Sequence, residues 1–237
     1  MVIVRNIIKG IFLLAIAVVV YGVYCYADAT KDAAQLKVRA DQLIADGKGP
    51  DDLGPDDLGP DDLRLDDLRL DGLGQDKAAL LLLVQDPGYY DHSGIDLTSK
   101  GAGITTLTQS LAKRVGFSEF KPGIAKFRQT TYAMGLEAEL SKEQIFALFL
   151  DSVEMGKGPD GWMTGFFNAS RKIYGKEVNE LSDREFLSLV AVMIAPAKYN
   201  LRKPDAALTE RVTRIEKLIA KACEPLDLKD VWLDGCK

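Results

Sequence analysis

The 237-residue chain is poor in the side chains that usually build reactive centres: it has one histidine, three cysteines and two tryptophans. With a single histidine to join the two C-terminal cysteines, their spacing offers no His/Cys ligand set for a metal. Charged residues make up 27% of the chain, which excludes an integral protein of many spans. No convincing alternation of apolar and polar residues marks a strand, so a sheet-based fold is not expected. What is present is 47% hydrophobic residues, enough for one sizeable domain plus appendages.

One apolar run stands out. Between Lys9 and Asp28 lie 18 uncharged residues, GIFLLAIAVVVYGVYCYA, close to the ~20 that cross a bilayer core as a helix. Arg5 and Lys9 precede the run, Asp28 follows it, and Tyr21, Tyr24 and Tyr26 gather at its far end as interfacial anchors. The expected order is a cytoplasmic segment 1–9, a transmembrane helix 10–27, and the rest of the chain outside the cytoplasm. A cleaved signal peptide is the alternative, since Ala27-Asp28-Ala29 resembles a cleavage site, although the run is longer than a usual signal core. Cys25 follows Tyr24 and not a small residue, so no lipoprotein site is read there. In an exported tail, Cys223 and Cys236 fit either a disulfide or two free thiols.

Residues 51–75 repeat with a period of five: DDLGP, DDLGP, DDLRL, DDLRL, DGLGQ. A pentapeptide solenoid needs a small inward residue two before the leucine, where this chain always has Asp, and five units are too few to bury a core. Residues 28–76 therefore read as a linker carrying an expanded acidic repeat. Residues 51–76 hold ten Asp and two Arg, a net charge of −8 against −5 for the whole chain, so the remainder carries +3. The low isoelectric point belongs to the repeat, and the domain is free to attract anionic lipid or pyrophosphate.

From residue 77 to 222 the signals are helical. Ser141 with Gln144 and Ser182 with Glu185 have capping-box spacing ahead of apolar runs. Val212, Ile215, Ile219 and Ala222 share a helical face, as do Leu107, Leu111 and Val115. The segments DPGYYDHSG, GKGPDGW (156–162) and APAKYN (195–200) read as loops able to carry binding groups, with a tail at 223–237.

Five fragments, in order, resemble family 51 glycosyltransferases, the peptidoglycan polymerases, over roughly residues 78–215. The motif E-D-x-x-F-x-x-H-x-G falls on Gln85 through Gly94, with Asp86 and His92 in register. The motif G-x-S-T-I-T-Q-Q-x-x-K-N falls on Gly103 through Arg114: Thr105, Thr106, Thr108, Gln109 and Lys113 agree, and Ser110 and Arg114 depart. The motif R-K-x-x-E-x-x-x-A-x-x-L-E falls on Ala125 through Glu137, with Lys126, Ala133, Leu136 and Glu137 in register and Ala125 and Gln129 as departures. LFLDSVEMGKGPDGW matches a further segment with Asp151 in place of asparagine, and AVMIAPAKYN matches the last. The single N-terminal anchor resembles the monofunctional type. The resemblance implies a mainly α, lysozyme-like domain behind one transmembrane helix, in the plasma membrane of a bacterium with the domain on the periplasmic side.

The reaction implied joins lipid-linked disaccharides: a sugar hydroxyl attacks an anomeric carbon and a lipid pyrophosphate leaves. Such a hydroxyl needs a proton acceptor, and the pyrophosphate needs positive charge from Lys, Arg or a divalent cation such as Mg or Mn. Lys113 and Lys126 fit the second need, with His92, Thr106 and Gln109 as further substrate-binding positions. The first need falls on Gln85, whose amide has no useful basicity. Asp86, Glu137 and His92 are the remaining candidates for acid–base work. The departures at Gln85, Ala125, Gln129 and Asp151 change charge at motif positions, which suggests a relaxed or repurposed site. Two readings stay open: a divergent polymerase acting on lipid II, and a non-catalytic scaffold that binds lipid II or glycan strands in the cell-wall machinery; a hydrolase using Glu137 ranks last because it lacks a paired carboxylate. Expected partners are lipid II or a growing strand, the membrane and other cell-wall proteins, with no nucleic acid. Phe117 and Phe120 beside Lys121 are expected either to dip into the bilayer or to pack as core aromatics.

Overall fold

The computed structural model describes residues 2–49, 77–117 and 123–237. The acidic repeat lies outside them, as do Phe120 and Lys121. Eight α-helices and one small hairpin are present: α1 Val2–Ala45, α2 Lys77–Gln85, α3 Leu107–Val115, α4 Ile124–Glu139, α5 Lys142–Ser152, β1 Glu154–Gly158, β2 Gly161–Thr164, α6 Phe166–Tyr174, α7 Asp183–Val192 and α8 Ala206–Ile219. The mainly α expectation holds.

The capping boxes at Ser141/Gln144 and Ser182/Glu185 are both formed and start α5 and α7. α5 is buried nearly all round, and Phe146, Leu150 and Ile145 are among the residues that fill the centre of the core. On α8 the predicted stripe delivers Val212, Ile215 and Ile219 to that core, but the helix ends at Ile219 and leaves Ala222 outside it.

Two expectations about the chain's course change. α1 does not stop where the apolar run stops: it continues to Ala45, so residues 28–45, expected in the linker, are helical and packed. Gly22, Cys25, Ala29, Ala33, the half-buried Leu36, Ala40 and Leu43 recur every three or four residues and form one packed face. These are mostly small side chains, and they let α4 approach closely. A Cβ placed on Gly135 of α4 would lie 2.7 Å from the Ala29 Cβ and 2.7 Å from the Tyr26 carbonyl oxygen. Polar bonds hold α1 against α4 and α5: Tyr132 of α4 donates to Asp32 at 2.5 Å, and on α5 Gln144 donates to Asp41 at 2.7 Å and Asp151 pairs with Arg39. Toward the N-terminus the apolar residues of α1 stay exposed, and this helix is long and apolar enough to cross a membrane.

The second change is the hairpin. Its β1 and β2 are antiparallel, with a register shift between Glu154 and Gly156, and the segment 156–162 expected as a loop runs through both strands. The bulge places Met155 and Gly156 both inward, which breaks the alternation that would have marked a strand. Gly156, at φ 81°, sits where a Cβ would come within 2.4 Å of the Pro196 carbonyl oxygen. The hairpin is thereby pressed onto the 195–200 loop. The segment after residue 222 is closed by a Cys223–Cys236 disulfide and bonds to the loop before α3: the Gly101 and Gly103 N–H groups donate to the Asp227 and Leu228 carbonyls at 2.9 and 2.7 Å.

Candidate functional site

Gln85 is the last residue of α2 and half-buried. Its amide Nε2 donates to the Val190 carbonyl of α7 at 3.2 Å. Two pockets, of about 260 and about 60 Å³, are both lined by Gln85 and Thr105 and so form one cleft. The larger is walled by Ile104, Ile194 and Val231 and reaches Arg211 on α8; the smaller is lined by Thr106, Ser110 and Arg114 on the α3 side. Among the described residues, no Asp, Glu or His lines either pocket.

Lys126 lines neither pocket, but its partner Thr105 lines both. Its Nζ donates to the Thr105 hydroxyl and to the Gln109 side-chain oxygen, both at 2.9 Å. Gln109 is buried and donates through Nε2 to the Gly94 carbonyl at 3.1 Å, while its own carbonyl accepts from the Gln129 amide at 2.6 Å. Gln129 therefore braces the backbone beneath the lysine. Burial, and secondly the charge of Lys113, lower the Lys126 pKa from its ordinary value. Arg114 adds a third cation: burial lowers its pKa, its Nη1 donates to the Ser110 carbonyl at 3.1 Å, and its guanidinium lies 5.4 Å from the centre of the Phe149 ring.

The three acid–base candidates other than Gln85 sit elsewhere. Asp86 is 1% exposed; it accepts the Leu107 N–H at 2.7 Å, at the start of α3, and its other oxygen faces His92 Nε2 at 3.0 Å. His92 Nδ1 accepts the Gly94 N–H at 3.1 Å, which assigns the ring proton to Nε2 and makes the histidine a neutral donor to Asp86. Both nitrogens are occupied, so His92 has no lone pair for a substrate. Glu137 is also withdrawn: its side chain is 4% exposed, accepts from Thr108 and is paired with Lys142 at 2.8 Å. Lys142 in turn donates to the His92 carbonyl at 2.7 Å and packs over Tyr89. Asp86, His92 and Glu137 thus belong to one internal network behind the N-terminus of α3. They tie α2, the following turn, α3 and α4 together, and none of them lines the cleft.

Thr106 is the N-cap of α3: its hydroxyl accepts the Gln109 N–H at 3.2 Å and donates to the Gly94 carbonyl at 3.0 Å. It lines the smaller pocket, but with its hydroxyl engaged by backbone. Of the predicted residues, the structure brings Gln85, Thr106, Gln109 and Lys126 together around Thr105, with Lys113 beside Lys126. Sequence reasoning passed over Thr105 as a cleft residue and missed Arg114 and Arg211. Arg114 was visible as a motif departure; Arg211 had no local signal beyond being a charge on an amphipathic helix.

Among the described residues no three His, Cys, Asp or Glu side chains cluster to hold a metal ion. The described residues thus supply no His, Cys, Asp and Glu ligand set for Mg or Mn.

A model of the transglycosylase family matches residues 61–220. The chain belongs to that family. Residues 85–142, which carry the internal network and part of the cleft wall, fall within the matched span. Over 145 residues the chain is 32% identical to penicillin-binding protein 1B of Escherichia coli (strain K12), covering 55% of this chain and 17% of that protein. Over 146 residues it is 29% identical to penicillin-binding protein 1F of Bacillus subtilis (strain 168), covering 56% and 20%. A protein named biosynthetic peptidoglycan transglycosylase from Xanthomonas campestris pv. campestris (strain B100) is 25% identical over 149 residues, 58% of this chain and 59% of that one. The chain thus spans a fifth or less of the two penicillin-binding proteins.

Proposed function

We propose that the cleft at Gln85 holds a lipid-linked glycan precursor, lipid II, or the end of a growing glycan strand during bacterial cell-wall assembly, and that glycan polymerisation by this chain is absent or very slow. The observation that carries this reading is the lining of the cleft: among the described residues Arg211 stands at one end and Arg114 at the other with no carboxylate or imidazole between them, and Lys126 is bonded to Thr105 in its wall. Lys126, with Lys113 at its side, suits a pyrophosphate, which would replace the Thr105 and Gln109 oxygens as the lysine's partner. An attacking hydroxyl placed against Gln85 would meet an amide that can orient it but cannot take its proton. Loss of a positioned base forfeits about 10²- to 10⁴-fold in rate. The apolar end of α1 would anchor the chain in the plasma membrane, with the domain on the periplasmic side.

A second reading keeps the activity, and the intact Lys126, Gln109 and Thr105 arrangement favours it, because the leaving-group half is assembled. One experiment separates the two: polymerisation of lipid II by the natural full-length chain and by Gln85→Glu, with precursor binding measured in parallel. The expected result is binding by both proteins and polymer from the variant alone. Rapid polymerisation by the natural chain refutes the non-catalytic reading, and failure of both to bind refutes the groove itself.

A further inference from the structure

Arg211 is a buried charge whose guanidinium the protein leaves incompletely bonded. It is 3% exposed, and neither Nε nor Nη1 has a hydrogen-bond partner among the described residues. Burial pulls its pKa down to about 10, against the opposing fields of Tyr199 and Asp230. Asp230 is the nearby carboxylate that could satisfy it, yet that group is engaged by the backbone N–H groups of Leu226, Asp234 and Gly235 at 3.0, 2.7 and 3.0 Å. A purely structural arginine at such depth is expected to be paired, because apolar residues of the same volume fill space without the desolvation cost.

The side chain also lies where a ligand could reach it. It lines the same pocket as Gln85, and on its other side a second pocket of about 210 Å³ that includes Lys198 and Trp232. The wall between is firmly placed: the Gly101 and Gly103 amides are bonded to the disulfide-closed segment, and a Cβ on Gly103 would come within 2.7 Å of Val231 Cγ1. The walls of the Gln85 pocket near this arginine are otherwise apolar, with Ile104, Ile194 and Val231. A single planar guanidinium at the end of an apolar slot matches a carboxylate on a short carbon arm, by a two-point contact. A phosphate has better company at Lys126 and Lys113, on the far side of Thr105.

We propose that Arg211 is a carboxylate subsite of the cleft, taking a carboxylate of the peptide attached to the bound sugar. The proposal rests on the reading of the cleft as a glycan site, and the test separates the two. Binding to the full chain in nanodiscs is measured for three soluble probes: a disaccharide-peptide with free carboxylates, the same compound with every carboxylate converted to a methylamide, and the peptide-free disaccharide bearing only the lactyl carboxylate of its muramic acid. The natural chain should bind the first at least about tenfold more tightly than the second, as expected for a charge-assisted pair. Arg211→Gln should bind both with the affinity of the methylamide. The third probe carries its acid on the sugar, where the first has an amide, and should bind like the second; affinity like that of the first would overturn the assignment to the peptide's acid.

Discrimination that survives in Arg211→Gln overturns the proposal. Equal binding of the first two probes by the natural chain overturns it while leaving the glycan reading intact, and no binding of any probe removes both. Thermal unfolding supplies a check independent of ligand. Arg211→Met should hold the melting temperature or raise it by about 2–4 °C, a shift worth roughly 1 kcal/mol at this chain length. A large fall would mean that the arginine is needed for folding, and would overturn the assignment.

Discussion

Asp86 follows the position where the family's base is expected, and it is the residue most easily mistaken for a substitute. The geometry gives it a different task, which Asp86→Asn measures. The carboxylate receives the Leu107 N–H at 2.7 Å and the His92 Nε2–H at 3.0 Å in a site 1% exposed. An asparagine keeps one acceptor and must turn an NH2 toward the other donor. The loss is one charge-assisted hydrogen bond, about 1.5–3 kcal/mol, plus one buried unsatisfied donor, about 1–3 kcal/mol. Together these come to about 2.5–6 kcal/mol, which lowers the melting temperature by about 5–24 °C at 2–4 °C per kcal/mol. Circular dichroism melts of the full chain in detergent read this out. Combined with His92→Ala, the variant should show strong coupling, because the two residues share a bond. If Asp86→Asn melts within a degree or two of the natural chain and loses only lipid II turnover, Asp86 is a proton acceptor and the reasoning fails.

Acid should expose another buried carboxylate. Burial raises the Asp96 pKa, but hydrogen bonds from Ser99 and Thr98 outweigh it and bring the group down to about 2. A carboxyl depressed in the folded state contributes stability above its unfolded value near 4 and loses it as the pH falls to 2, here about 2–3 kcal/mol. Urea unfolding at pH 2, 3 and 5 should show that loss in the natural chain and much less of it in Asp96→Asn; parallel curves would refute the assignment. At the α1–α4 contact, Gly135→Ala should cost about 1–3 kcal/mol, because its Cβ meets backbone at Tyr26. Ala29→Gly should restore only part of that, and full rescue would show that Tyr26 does not resist.

The helices were legible in the sequence because their starts are written locally. Ser141 and Ser182 announce α5 and α7 through side chains three residues from their partners. The leucines of α3 and the valine and isoleucines of α8 repeat at helical spacing. The hairpin was not legible, since a bulge and four glycines at 156, 158, 161 and 165 erase the alternation. Nor was the reach of α1, whose packed portion uses alanines that look featureless until Gly135 stands opposite them. Of the site, Lys126 and Gln109 could be named from motif register alone. The inward turn of Asp86 and Glu137 could not, because their partners Leu107, His92, Thr108 and Lys142 come from separate elements. Arg211 is a long-range case of the same kind: its solitude depends on Asp230 being occupied by backbone.

The unbroken run of α1 has a mechanical consequence. Its buried face from Gly22 to Leu43 and the first residues of α2 at Lys77 belong to the same packed body. Residues 50–76, which include the aspartate-rich repeat, separate the two in sequence. Because α4 and α5 hold α1 directly, those contacts fix how far the cleft stands from the apolar stem.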